Sequence, residues 1–138
     1  MKLFNIILGV TLVFFTVMFM RCEKVTEITE LVKNTEHIQV TFYNDTLPDT
    51  YVTIDDKGEI KKFADFISSE DVPVRKCDYD GQIVFFMDET IAAGAKNSVS
   101  MEFNLNGDCR HIQYMYADAL QTKKLTDEGK EYLEKLHP

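Results

Sequence analysis

No GxSxG, HExxH, Walker loop or dinucleotide fingerprint occurs in the 138 residues. The chain therefore offers no nucleophile elbow, zinc-binding helix or phosphate cradle of a known pattern. There is no CxxC and no Cys/His cluster at zinc spacing, which excludes a metal site of that kind, and no cofactor is expected. Proline is scarce, at three residues, and no internal repeat or low-complexity tract is visible. Positive charge is scarce as well: 15 Lys and Arg stand against 23 Asp and Glu, a formal net charge of −8. Two of those cations, Lys2 and Arg21, lie in the first 21 residues. Setting them aside leaves 13 basic against 23 acidic residues, a net charge of −10. Such a domain lacks the basic footprint that nucleic acid demands and is ill suited to lie on an anionic membrane surface.

What is present begins with a long apolar run. After Met1-Lys2 it extends from Leu3 to Met20 without a charge and ends at Arg21-Cys22. One basic residue before a long hydrophobic stretch reads as a secretory leader or membrane anchor. No small-residue cleavage site closes it, and its length is at the lower edge of a membrane span. The ending Val17-Met18-Phe19-Met20-Arg21-Cys22 resembles a bacterial lipoprotein signal, in which the cysteine after the apolar core becomes lipidated and N-terminal. It departs from that pattern at Arg21, where a small residue belongs, and at Phe19, where leucine is usual. Two anchors therefore stand side by side: lipid on Cys22, or an uncleaved single span. Both expect the rest of the chain outside the cytoplasm, at the bacterial cell envelope. The expected organisation is a signal or anchor over residues 1–21, a tether or short helix over 22–36, and one globular domain over 37–138.

Lipid on Cys22 would leave Cys77 and Cys109 as a pair. A bridge between them is the expectation for an exported domain, and in the chain-entropy model it contributes roughly 3–4 kcal/mol. The competing reading is two buried free thiols.

Hydrophobic periodicity lays out the elements. Val25, Ile28, Leu31 and Val32 recur at helical spacing. Residues 37–43 alternate, with Ile38, Val40 and Phe42 on one side, and read as a half-buried strand. A turn over 44–49 leads to a returning strand over 51–54. Asp56 reads as an N-cap with Glu59 as its reciprocal partner, opening a helix over 57–68 with Ile60, Phe63, Ala64 and Ile67 on its apolar face. Residues 68–75 read as a loop, and 82–87, apolar on both sides, as a strand covered on both faces. Val99, Met101, Phe103 and Leu105 alternate up to Asn106-Gly107, a strong hairpin signal. A two-residue turn there sets Met101 opposite Ile112 and Glu102 opposite His111. Residues 119–124 read as a last strand whose Lys123 and Lys124 guard an edge. Thr126 caps a final helix with Leu125, Gly129, Tyr132, Leu133 and Leu136 as its buried stripe. The sum is α+β: five or six mostly antiparallel strands with two or three helices packed on one face.

Few residues suggest chemistry. Glu102 beside His111 would orient an imidazole as a general acid/base; the plainer reading is a solvated cross-strand pair. Asp78-Tyr79-Asp80-Gly81 echoes a calcium loop, but Lys76 and Met87 fall where two ligands are needed, so an Asp-Gly turn is expected. Asn44-Asp45-Thr46 matches the glycosylation pattern by chance. Tyr114 and Tyr116 with Phe85 and Phe86 suggest core packing, with an aromatic groove as the alternative. The sequence thus predicts a non-catalytic envelope domain, joined to the membrane by its anchor or lipid, that binds a protein or ligand. Two alternatives are a small hydrolase using Glu102 and His111, and an inhibitor or immunity-type protein with an acidic patch around Asp45–Asp56 or Asp78–Asp80.

Overall fold

The alternating segments assemble as strands of one antiparallel sheet, and the helical ones cover one of its faces. The computed structural model describes residues 27–88, 98–116 and 118–137. The leader, Cys22 and the choice between lipid and span lie outside the described residues, among which no helix is long and apolar enough to cross a membrane. In chain order the elements are α1 (Glu27–Asn34), β1 (Thr35–Phe42), β2 (Thr50–Ile54), α2 (Lys57–Phe66), β3 (Ile67–Asp71), β4 (Gly81–Met87), β5 (Ser98–Asn104), β6 (His111–Tyr116), β7 (Ala119–Leu125) and α3 (Asp127–Leu136), with a short 3-10 turn at Gly107–Cys109. The sheet runs β2-β1-β4-β5-β6-β7-β3, and every pairing is antiparallel.

Parity assigns the faces. Ile38, Val40 and Phe42 of β1, Ile83 and Phe85 of β4, Met101 and Phe103 of β5, and Ile112 of β6 are buried with Ile60, Phe63 and Phe66 of α2 and Leu133 of α3. Phe63 is the joint: its ring meets those of Phe66, Phe85 and Tyr132 at centroid distances of 5.2, 5.8 and 5.6 Å. The Asp56 carboxylate accepts the Glu59 N–H at 2.9 Å, and the Thr126 hydroxyl accepts the Gly129 N–H at 3.1 Å, so both N-caps are as expected. The reciprocal half of the capping box is not made. The Glu59 carboxylate turns instead to the Lys62 ammonium, at 2.6 Å, and to the Tyr132 hydroxyl.

Four expectations are corrected. The described residues form seven strands, because residues 67–71 form β3 where a loop was expected. Its pattern Ile-Ser-Ser-Glu-Asp carries no apolar alternation, and it is recruited by β7, through Ile67 against Leu125 and Asp71 against Lys123. Strand β7 is therefore not an edge; Lys123 and Lys124 answer Asp71 and Glu70 of β3 at 2.5 and 3.5 Å. Strand β4 is covered by helices on one side only, and Val84 and Phe86 stand half-buried on the other, where Phe86 stacks on His37 at 4.5 Å. Finally, the β5–β6 register is displaced by two: Met101 faces Tyr114 and Phe103 faces Ile112. Of the two turn residues, Gly107 takes a positive φ, of 51°, whereas Asn106 has φ −105°, so the primed two-residue turn does not form. A six-residue connection, 105–110, takes its place.

Gly81 marks where β4 passes closest to its neighbours. A Cβ there would lie 2.2 Å from the Thr41 carbonyl oxygen and 2.5 Å from the Phe103 ring. Gly81→Ala should therefore destabilise the fold by about 3 kcal/mol. Gly107→Ala meets no atom within 4 Å and should cost about 1–2 kcal/mol through its backbone conformation alone. Urea unfolding of the two variants checks the order; equal losses would refute the close approach at Gly81.

Candidate functional site

Three places in the fold bring polar or aromatic groups together. The first is a cleft on the helical side of the sheet, between α1 and the ends of β4, β5 and β6. Ile28 and Leu31 of α1 form one wall, and Met87, Val99, Met101 and Tyr114 form the other. Its volume is about 170 Å³, below the roughly 300–1,000 Å³ of a drug-sized ligand site, and it suits an apolar side chain or a short stretch of acyl chain. Glu27 sits at its rim, and its carboxylate accepts a hydrogen bond from the Tyr114 hydroxyl. On the far side of that bond lies a second, more polar hollow, reaching Ser68, Ser69 and Lys123. The Tyr114 phenol is held neutral: burial raises its pKa first, and the neighbouring Glu27 carboxylate adds to this. Of the four aromatic residues read as a groove, Tyr114 and Tyr116 line this cleft, Phe85 is core, and Phe86 lies on the other face. Met87, Val99 and Met101 were legible as strand residues only; the sequence carried no signal that α1 would stop short of covering them.

The second place is the opposite face of β5 and β6. Here Glu102 faces Gln113, and His111 faces Asn104, so the displaced register removes the direct Glu102–His111 pairing. No hydrogen bond or ion pair among the described residues joins the two. His111 is only 2% exposed; the Tyr79 ring packs edge-on at 5.9 Å, and His111 Nε2 has no hydrogen-bond partner among the described residues. Glu102 instead lies near the phenols of Tyr79 and Tyr43, whose pKa values are raised by burial first and then by its charge.

The third place is the fastening of segment 72–80 onto the β5–β6 connection. Cys77 and Cys109 are disulfide-bonded, their Cα atoms 6.2 Å apart. The Asp80 carboxylate accepts the Leu105 N–H at 2.7 Å and the Asn106 side-chain amide at 3.2 Å, and Asn104 Nδ2 donates to the Asp78 carbonyl. The Asp80 carboxylate is thus committed to closing a loop, and among the described residues no cluster of His, Cys, Asp and Glu could hold a metal ion. Asn44 is likewise engaged: its side-chain oxygen accepts from the N–H groups of Thr46 and Leu47 at 3.1 and 3.2 Å. Of the two acidic patches named from the sequence, only Asp80 turns inward, whereas Asp78, Asp45, Asp49 and Asp55 are exposed.

Comparison of the chain with protein-family models, with curated proteins and with solved structures finds no match.

Two predictions follow from this geometry. Replacing Cys77 and Cys109 together by serine should cost roughly 3–4 kcal/mol for a loop of sequence separation 32. In the native protein both should resist alkylation until reductant is added; free labelling without it would contradict the bridge. Tyr132 has its pKa pushed from 10.0 to about 12 by burial and by the Glu59 carboxylate, and the Tyr114 pKa is raised as well. A raised phenol pKa favours the neutral form in the fold, so this stabilisation is complete below pH 10 and is lost as pH rises through about 12. An alkaline titration followed by tyrosinate absorbance should show these two phenols ionising last, together with unfolding. Their early ionisation with the fold intact would refute it.

Proposed function

We propose that the protein is a membrane-tethered, extracytoplasmic binding domain of the bacterial cell envelope that holds a protein or ligand rather than transforming it. The observation that carries this reading is the cleft between α1 and β4–β6: an apolar recess with one phenol–carboxylate bond at its rim. Such a recess supplies contact area and one polar fixing point, which is the composition of a binding site. It brings no general base and nucleophile together. Glu102 and His111 support the hydrolase reading poorly, since the imidazole is enclosed and lies out of register with the carboxylate. The cleft also begins at Glu27, five residues after Cys22 in the sequence, so an anchor of either kind would hold it near the membrane.

Site-specific photocrosslinking in native membranes tests the reading. A benzophenone side chain in place of Tyr116, which lines the cleft and is 50% exposed, should yield a discrete adduct. The same probe in place of Val74, which is 63% exposed and outside the cleft, should not. An unmodified protein at position 116 would remove the cleft as a binding site. The intact mass of the membrane-extracted protein, starting at acylated Cys22 or at Met1, decides the anchor; a soluble, leaderless, unacylated chain would end the tethered reading.

A further inference from the structure

The two edges of the sheet are built differently. At one end, β3 is guarded. Its pairing with β7 is irregular between Ile67 and Asp71, and it carries Glu70 and Asp71 in ion pairs with Lys124 and Lys123. A charged, bent edge resists a further strand. At the other end, β2 pairs among the described residues only with β1. Its sequence, Thr50-Tyr51-Val52-Thr53-Ile54, has no charge, no proline and no break in register over five pairs. Thr50, Tyr51 and Thr53 are exposed, Tyr51 at 68%. An edge of this kind presents unpaired backbone N–H and C=O groups as a template for another strand.

Charge decides which strand. Asp45 and Asp49 precede β2, and Asp55 and Asp56 follow it. From Asn34 to Asp56 the chain has no lysine or arginine. The nearest cation after the strand, Lys57, is engaged: its Nζ donates to the Thr35 and Glu36 carbonyls at 2.8 and 3.1 Å. A second copy of the chain, paired antiparallel about Val52, would set Asp49 against Asp55 at both ends, and like charges held across a strand pair are destabilising. A strand with basic residues flanking a β-branched centre meets neither difficulty.

We infer that the free edge of β2 docks an extended, basic segment of a partner protein by strand addition, the acids at either end of β2 holding its flanking cations. This rests on the reading of the chain as a binding domain and names the chemistry of its partner. Backbone bonds supply the pairing, and the side chains of Tyr51 and Thr53 face the incoming strand's neighbours on the open face of the sheet. The acids act over longer range, speeding association and selecting cationic over anionic strands.

The test uses the full chain in detergent micelles with two synthetic peptides, each alternating valine and threonine, one flanked by lysines and one by glutamates. Amide hydrogen exchange across 50–54 should slow with the lysine-flanked peptide and not with the other, and the effect should weaken as salt rises. The double substitution Asp49→Asn, Asp55→Asn should reduce affinity on the order of ten-fold, with the thermal transition unchanged; Asp56 is left intact because it caps α2. Equal binding of the glutamate-flanked peptide, protection at 67–71 instead of 50–54, or a dimeric mass without peptide would each overturn the proposal. Strand β2 contributes no residue to the cleft at α1, so crosslinking at position 116 and protection of β2 succeed or fail independently.

Discussion

The short reach of α2 constrains the whole architecture. Strand β2 lies at one edge of the sheet and β3 at the other, yet only residues 55–66 connect them. Ten helical residues span about 15 Å, and the two before them add at most about 7 Å. Seven strands at about 4.8 Å spacing would set the edges of a flat sheet about 29 Å apart. The sheet must therefore coil around α2, and the residues that face inward from that helix are the ones the curvature converges on: Ile60, Phe63 and Phe66, 1–2% exposed. The other helices take their places from it. Helix α1 packs against α2 from one side and α3 from the other. The approach of α3 is close enough that a Cβ at Gly129 would stand 2.7 Å from that of Phe66. One face of a coiled sheet is thereby filled, and the other carries polar and aromatic residues, some half-buried and some, such as His111 and Asn104, buried.

That division explains what was legible in the sequence. Where one face is buried and the other open, side-chain parity writes itself into the chain, so β1, β2 and β5 and the two capped helices α2 and α3 could be recognised from alternation, helical spacing and N-caps. Strand β3 could not. Its only buried side chain is Ile67, and it becomes a strand because β7 offers both an unpaired edge and two lysines. Lys123 and Lys124 were visible, but lysines on a strand describe an exposed edge as well as they describe ion pairs with a neighbour not yet found. The local pattern was right and its partner lay 52 residues away.

The β5–β6 connection teaches a second limit. Asn106-Gly107 carries the strongest hairpin signal in the chain, but the loop is set by what grips it from outside. The Asp80 carboxylate takes the Leu105 N–H, Asn104 reaches Asp78, and the disulfide holds Cys109 to Cys77. These contacts are long-range and leave no local periodicity. The resulting displacement is two residues, which preserves the face of every side chain. The core assignment thus survived the error intact, while the one catalytic pairing that depended on register, Glu102 with His111, did not. A candidate site inferred from cross-strand opposition is only as secure as the turn that sets it.

Charge completes the argument about where this molecule can be recognised. Every ion pair found among the described residues falls at or beyond Glu59 in the chain. The cations in those pairs, Lys62, Arg75, Arg110, Lys123, Lys124 and Lys130, each meet an acid supplied by the same half of the fold. The β1–β2 hairpin has acids alone, and it is also the edge whose backbone is left unpaired. Acids without a cation and an unpaired strand edge coincide at β2, while at β3 the acids are answered by Lys123 and Lys124. In a domain whose net charge is −10, that asymmetry distinguishes the two ends of the sheet: the charged, irregular edge resists a further strand, and the acidic edge disfavours an acidic one.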